Sequence, residues 1–289
     1  MIHAAASRSA LADLRKRLNT VLPDLSNAIF KWIPVLRQFE GDSRHRELAD
    51  ELYEAAALLS QQPRLRRALG DPSTDAAGRA DLARSLFRGQ VGDVALGLIA
   101  DAVSLRWSSP WDLPDALEIL GNEALLAAAE QDDQLDTVED ELFRFERILA
   151  DSGELAAALD ETGVPAERRR GLLQSLLGAK VHPITAQLLE HAVTSGRRPT
   201  LTLAIDDLLQ ASAARREHSV ARVLTATELT PQQTERLAAT LTRLYGREIN
   251  IRTAVDESVR GGLVVRVGDE VIDGSVASRL AAARIVFAG

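Results

Sequence analysis

The sequence predicts a mainly helical α+β protein: two related helical bundles, the second of about six helices, followed by a small C-terminal α/β domain. Three observations carry this reading. Apolar residues recur at steps of three and four through the first two thirds of the chain. A stretch of 54 residues repeats without a gap at an offset of 90. After residue 214 the apolar period drops to two. The boundaries expected from these changes are 1–111, 112–212 and 213–289, which suits a chain of 289 residues with 46% apolar side chains.

Residues 1–111 read as helices interrupted at Pro34 and Pro72. The repeat lays 50–103 over 140–193, so that DELYEAAALLSQQPRLRRALGD matches DELFRFERILADSGELAAALDE. Sixteen positions are identical, among them Leu52/Leu142, Leu59/Leu149, Leu65/Leu155, Leu82/Leu172, Leu86/Leu176 and Val91/Val181. Most are apolar, so the repeat preserves a core pattern, and two copies suit a duplicated helical domain better than a solenoid.

In the second copy Leu113, Leu117, Leu120 and Ala124 draw one helical stripe, and Leu135, Val138, Leu142, Phe145 and Leu149 draw another. Breaks fall at Pro110, Ser152-Gly153, Gly163-Val164-Pro165, His182-Pro183 and 196–199. Pro165 and Pro183 suit a first helical turn, where a missing N–H loses no bond. Residues 112–212 therefore read as about six helices in a compact bundle.

Beyond residue 214, Ile249, Ile251, Thr253 and Val255 alternate with Glu248, Asn250, Arg252 and Ala254, as strands with one buried face do. Leu263, Val265 and Val267 continue the alternation. Between 220–226 and these strands lies a helix with Thr230 as its N-cap, Pro231 at its first position and Gln233 closing a capping box. Leu237, Leu241 and Leu244 give it an apolar stripe, and Gly246 ends it. Gly268-Asp269 signals a hairpin, and Asp273-Gly274-Ser275 leads to a last helix capped by Ser275. Three or four strands are expected.

Composition excludes several functions. There is no cysteine, hence no thiolate metal site, cysteine nucleophile or disulfide. A net charge of −8 and 11 aromatic residues argue against nucleic acid as a partner. Residues 112–212 hold 8 basic and 20 acidic side chains, a net of −12, whereas the flanking segments are each +2. That acidic middle is either a solvated surface or a steering field for a basic partner segment. No apolar run approaches the ~20 residues a membrane span needs, and the N-terminus lacks a secretory h-region. Direct membrane insertion is not expected.

Catalytic and metal patterns are missing too. His3, His45, His182, His191 and His218 form no ligand spacing, and no nucleophile elbow or phosphate loop occurs. Gly261, Gly262 and Gly268 precede a strand and a hairpin, so they read as positions needing positive φ. The acidic cluster from Asp132 to Glu141 lacks the spacing of a calcium loop, and Arg168-Arg169-Arg170 reads as a solvated basic face. No catalytic residue, cofactor or metal is expected.

Six landmarks in order then become specific: Thr225-Ala226, Leu229-Thr230, Val255-Asp256, Gly261-Gly262, Gly268-Asp269 and Asp273-Gly274-Ser275. Together they resemble the C-terminal signature of the delta subunit family of F-type ATP synthases, which includes the mitochondrial oligomycin-sensitivity-conferring protein. VEDELFRFERIL, VPAERRRGLLQSLLG and Gly196-Arg197 resemble that family's six-helix N-terminal domain. Residues 1–111 resemble the extra duplicated helical domain of some actinobacterial members.

The resemblance implies a stator connector. It would join the catalytic head to the outer stalk so that proton-driven rotation is coupled to ATP synthesis, peripheral to the cytoplasmic face of the cell membrane. It implies that the alpha subunit's N-terminal helix lies in a groove between the first and fifth helices of the domain, about 112–130 and 183–195. The residues expected there are Leu113, Leu117, Leu120, Ile184 and Leu188, which could equally be bundle core. It also implies that the C-terminal domain engages the b subunit, and that the Gly-Gly and Asp-Gly-Ser residues are structural. The first copy has Arg106-Trp107 where the second has Gly196-Arg197, so it is not expected to keep the same partner site. The alternative is a non-catalytic helical adaptor outside the synthase.

Overall fold

The structure, a computed structural model, describes residues 2, 4–27, 34–218, 220–245, 249–256, 259, 261–267 and 270–276. The helices are α1 (Ala5–Asn27), α2 (Pro34–Gln61), α3 (Pro63–Gly70), α4 (Ala76–Phe87), α5 (Asp93–Ser104), α6 (Asp112–Gln131), α7 (Leu135–Asp151), α8 (Gly153–Asp160), α9 (Ala166–Leu177), α10 (Pro183–Ser195) and α11 (Leu201–His218). There follow β1 (Val220–Thr225), α12 (Pro231–Tyr245), β2 (Asn250–Val255), β3 (Leu263–Val267) and β4 (Glu270–Asp273). The chain divides into two compact units, Met1–Gln210 and Ala211–Gly289. The mainly helical α+β class is thus the observed one. Gly246, Gly268, Asp269 and the helix expected after Ser275 lie outside the described residues.

In the first unit the repeat is visible as structure. α3 and α8 begin and end 90 residues apart, as do α4 and α9, and α5 and α10 begin at the same offset. The stripe Leu135, Val138, Leu142, Phe145 and Leu149 on α7 is buried throughout. Each fully buried leucine of this kind contributes about 1.5–3 kcal/mol. α6 differs from the single stripe read in its sequence. Leu113, Leu117, Leu120 and Ala124 are buried, and so are Leu125, Leu126 and Ala127 to Ala129. A helix that is apolar on several sides has to be surrounded. Helices α1, α2, α5, α7 and α10 all pack on α6. Pro183 does occupy the first position of α10, while Pro165 is the N-cap of α9, one residue earlier than expected.

The second unit is a four-stranded sheet in the order β2-β1-β3-β4. β1 and β2 are parallel, from Val220↔Asn250 to Thr225↔Val255, and α12 connects them. β3 runs antiparallel to β1 and to β4. One face buries Ala221, Val223, Ile249, Val265 and Val267 against Leu241, with Leu229, Leu237, Ile251, Leu263 and Ile272 at the margin. The capping box forms as read: the Thr230 N–H donates to Gln233 Oε1 at 2.9 Å and the Gln233 N–H to Thr230 Oγ1 at 3.3 Å. Leu244 departs from the expected stripe and is 64% exposed, whereas Leu237 and Leu241 pack on the sheet's core. Gly261 and Gly262 hold φ of +92° and +82°, and a Cβ on Gly262 would lie 2.5 Å from the Gly274 carbonyl oxygen.

Candidate partner-binding surfaces

A helix lies in the cleft between α6 and α10, and it belongs to the same chain. On α2, positions 46, 50, 53 and 60 share one face, spaced by the helical repeat. Arg46 Nε donates to Gln187 Oε1 at 2.9 Å, and Gln187 Nε2 donates to Asp50 Oδ1 at 2.7 Å. The Tyr53 hydroxyl donates to Asn122 Oδ1 of α6 at 2.6 Å. Its ring stacks on His191 of α10 with centroids 3.5 Å apart and planes 10° from parallel. Gly121 makes this approach possible, since a Cβ there would sit 2.5 Å from the tyrosine ring. Below the stack, Arg197 NH1 donates to Ser60 Oγ at 2.8 Å.

The floor of this seat is charged. Arg197 Nε lies 2.5 Å from Glu118 Oε2, Arg197 also pairs with Asp115, and His191 Nε2 lies 3.3 Å from Glu118 Oε1. Burial by itself pushes the Glu118 carboxyl up, but the contact with His191, the charges of His191 and Arg197 and a bond from Ser195 outweigh it and hold the group below its usual range. Asp115 goes the other way. Its burial and the neighbouring Glu118 charge exceed the help from Arg197, so its carboxyl is raised. Burial, with the charges of Glu118 and Asp50, holds the Tyr53 phenol well above its usual value, so it stays a neutral donor. Such a constellation orients and clamps. Among the described residues no three His, Asp or Glu side chains converge as a metal shell.

Leu113, Leu117, Leu120, Ile184 and Leu188 are all fully buried and form part of the interior of the helical unit, with no atoms at the surface of this chain. Of the signature residues, Thr225 is buried with its hydroxyl donating to the Thr227 carbonyl at 2.6 Å, and Ser275 is buried with its N–H on Asp273 Oδ1 at 2.9 Å. Gly274 N donates to the Leu263 carbonyl at 3.0 Å and thereby closes the turn over Gly262. Trp107, which stands where the second copy has Arg197, is buried and donates Nε1–H to the Ala102 carbonyl at 2.8 Å. The two copies therefore differ in the residue that follows their fifth helices.

Two paired features escaped the reading of the sequence. Arg169 is not part of a solvated face: it is buried, and NH1 donates to the carbonyls of Val193 at 2.6 Å and Leu159 at 3.3 Å. Its counterpart Arg79 is buried as well, with Nε on the Val103 carbonyl at 2.7 Å and further bonds to Asp71, Ser104 and Leu105. Each arginine ties the orphan carbonyls at the end of a fifth helix to the fourth. Glu51 and Glu141 form the second pair, accepting from the N–H of Gly92 at 2.6 Å and of His182 at 2.9 Å at the start of α5 and α10. Both pairs are identities in the repeat, and that coincidence of charged residues was the available signal. A third pair has diverged: Phe143 stands where Tyr53 does and is 50% exposed.

No helix among the described residues is long and apolar enough to cross a membrane. The family model described as the ATP synthase delta (OSCP) subunit matches residues 122–285. The chain is similar to the ATP synthase subunit delta of Streptomyces griseus, 41% identical over 285 residues that cover 99% of each chain. It is 45% identical to that of a Parafrankia species over 239 residues, 83% of this chain and 86% of the relative. It is 38% identical to that of Thermobifida fusca over 283 residues, 98% of each.

Proposed function

This chain belongs to the ATP synthase delta (OSCP) subunit family, and from that membership we propose how its two units divide the work of the peripheral stalk. It is a non-catalytic stator subunit of the synthase, serving ATP synthesis by holding other subunits and transforming none. In our reading the helical unit receives the N-terminal helix of an alpha subunit from the catalytic head, and the C-terminal α/β unit meets the b subunit. The head is then held against the drag of the rotor at the cytoplasmic face of the membrane, while proton flow remains the business of other subunits.

The observation that supports this reading is the seat between α6 and α10. It already holds a helix by ring stacking, side-chain bonds and a glycine approach, which is the means by which a groove grips an amphipathic helix. Leu113, Leu117, Leu120, Ile184 and Leu188 support the seat from within, and an alpha helix that uses it competes with α2.

Calorimetry with a peptide copying the alpha N-terminus tests this on the full chain. We expect saturable binding that tightens in Tyr53→Ala, where α2 is held less firmly. Binding that Tyr53→Ala leaves unchanged would move the head's helix to another face of the same unit. If neither the peptide nor the assembled head bound at all, the stator reading of this unit would fail.

A further inference from the structure

The face of the sheet turned away from α12 carries an arrangement that the sheet does not need for itself. Arg222 on β1 is in register with Arg252 on β2 and with Arg266 on β3. Three arginines therefore stand side by side on three adjacent strands, whose spacing is about 4.8 Å, and all three are exposed. None of them has a carboxylate partner within salt-bridge distance among the described residues. Like charges directly opposite one another destabilise a sheet. One residue pair along the strands, Ala254, Leu224, Val264 and Asp273 form the next row in register. Leu224 is 36% exposed, and Val271, beside Arg266, is 49% exposed. Asp273, the carboxylate in that row, accepts from the Ser275 N–H at the far edge of the sheet.

A cationic row flanked by an apolar row, on a face that no described element covers, is a binding surface with a definite complement. We infer that this face docks an acidic amphipathic helix of a partner protein. The helix lays its apolar stripe on Leu224, Val264 and Val271 and presents carboxylates to Arg222, Arg252 and Arg266. Arginine suits this task because its planar fork takes a carboxylate with two bonds. A membrane surface fits less well, since three cations in one row about 10 Å across, beside the exposed Leu224 and Val271, match the width of a helix, not a plane of headgroups. The inference rests on the reading that the C-terminal unit meets a stalk subunit and deepens it by assigning a face and a ligand charge; the stator reading itself is tested separately, on the alpha peptide.

The probe is a synthetic helical peptide with a leucine stripe flanked by glutamates, labelled for fluorescence anisotropy and titrated with the full chain at low salt. Binding in the micromolar range that weakens as salt rises is expected. In the triple variant Arg222→Gln, Arg252→Gln, Arg266→Gln the affinity should fall about tenfold or more. The same variant should unfold no earlier than the parent on heating, because it relieves repulsion, and this shows that a loss of binding is not a loss of fold. Leu224→Ser should weaken binding without altering its salt dependence. No binding, an affinity that the triple variant leaves unchanged, earlier unfolding of that variant, or preference for phosphatidylglycerol vesicles over the peptide would each overturn the proposal.

Discussion

Arg168, Arg169 and Arg170 are three identical residues with three different surroundings. Arg168 is exposed, Arg170 reaches Glu167, and Arg169 is buried on the carbonyls of Leu159 and Val193. Arg169→Ala leaves those buried acceptors without a charged donor and should destabilise the helical unit by about 2–3 kcal/mol. Arg168→Ala should change stability by less than about 0.5 kcal/mol, and urea unfolding of the two variants side by side checks the contrast. The charged floor of the seat gives a second prediction at this scale. The Glu118 carboxyl titrates below its usual value in the folded chain, so its ionised form stabilises the fold above the ordinary glutamate pKa, and this stability is lost as pH falls through the lower folded pKa. Glu118→Gln should therefore be less stable than the parent at neutral pH, and the gap should close in acid below the ordinary value of 4.5. Asp115, raised in the fold, has the opposite sign: its ionisation withdraws stability as pH rises above its unfolded value. A gap that stayed constant down to low pH would show that Glu118 acts by shape alone.

Among the elements, α2 and α7 are the informative pair. They come from matched segments of the repeat, yet Tyr53 is buried against α6 and α10 while Phe143 at the matching position is half exposed. The difference follows from what lies beside each helix. α2 has a cleft of the second copy to enter, and the described part of the chain offers α7 no third copy. At Gly121 α2 comes close to α6, since a Cβ there would lie 2.5 Å from the Tyr53 ring. Gly121→Ala should push the Tyr53 ring from its place on His191 and cost about 1–3 kcal/mol, less what better helix propensity returns. Tyrosine fluorescence and thermal unfolding would both report it, and an unperturbed stack would mean that α2 yields without strain. The apolar period locates α6 and α7 but does not place α2 in the cleft of α6, because a stripe states that a face is covered without naming the cover.

Across the whole molecule, the division into two compact units makes separate responses to damage the expected behaviour. Gly262→Ala combines a backbone conformation that side chains avoid with a 2.5 Å approach to the Gly274 carbonyl, and should destabilise the α/β unit by roughly 2–4 kcal/mol. Calorimetric scans of the full chain should show the transition of that unit shifted down by Gly262→Ala and left in place by Gly121→Ala. If both variants shifted one common transition, the units would unfold as one body. The same division bears on the stator role: one unit can be loosened without releasing what the other holds, so a peptide of the alpha subunit should still bind Gly262→Ala.

The sequence by itself determined the class of the protein, the order of helices and strands from residue 112 onward, the capping box at Thr230, the positive φ at Gly261 and Gly262, and the kinship of the two helical segments. All of these rest on local rules: the period of apolar residues, the freedom of glycine, and the side chains that satisfy the ends of a helix. Only the tertiary structure decided that α2 fills the cleft between α6 and α10, that Arg169 turns inward while its neighbours stay out, and that Arg222, Arg252 and Arg266 meet on one face of the sheet. Each of these depends on residues brought together from distant parts of the chain. A periodic pattern specifies which side of an element avoids water, whereas the partner that shields it, or the strand that pairs with it, is selected by the packing of the whole.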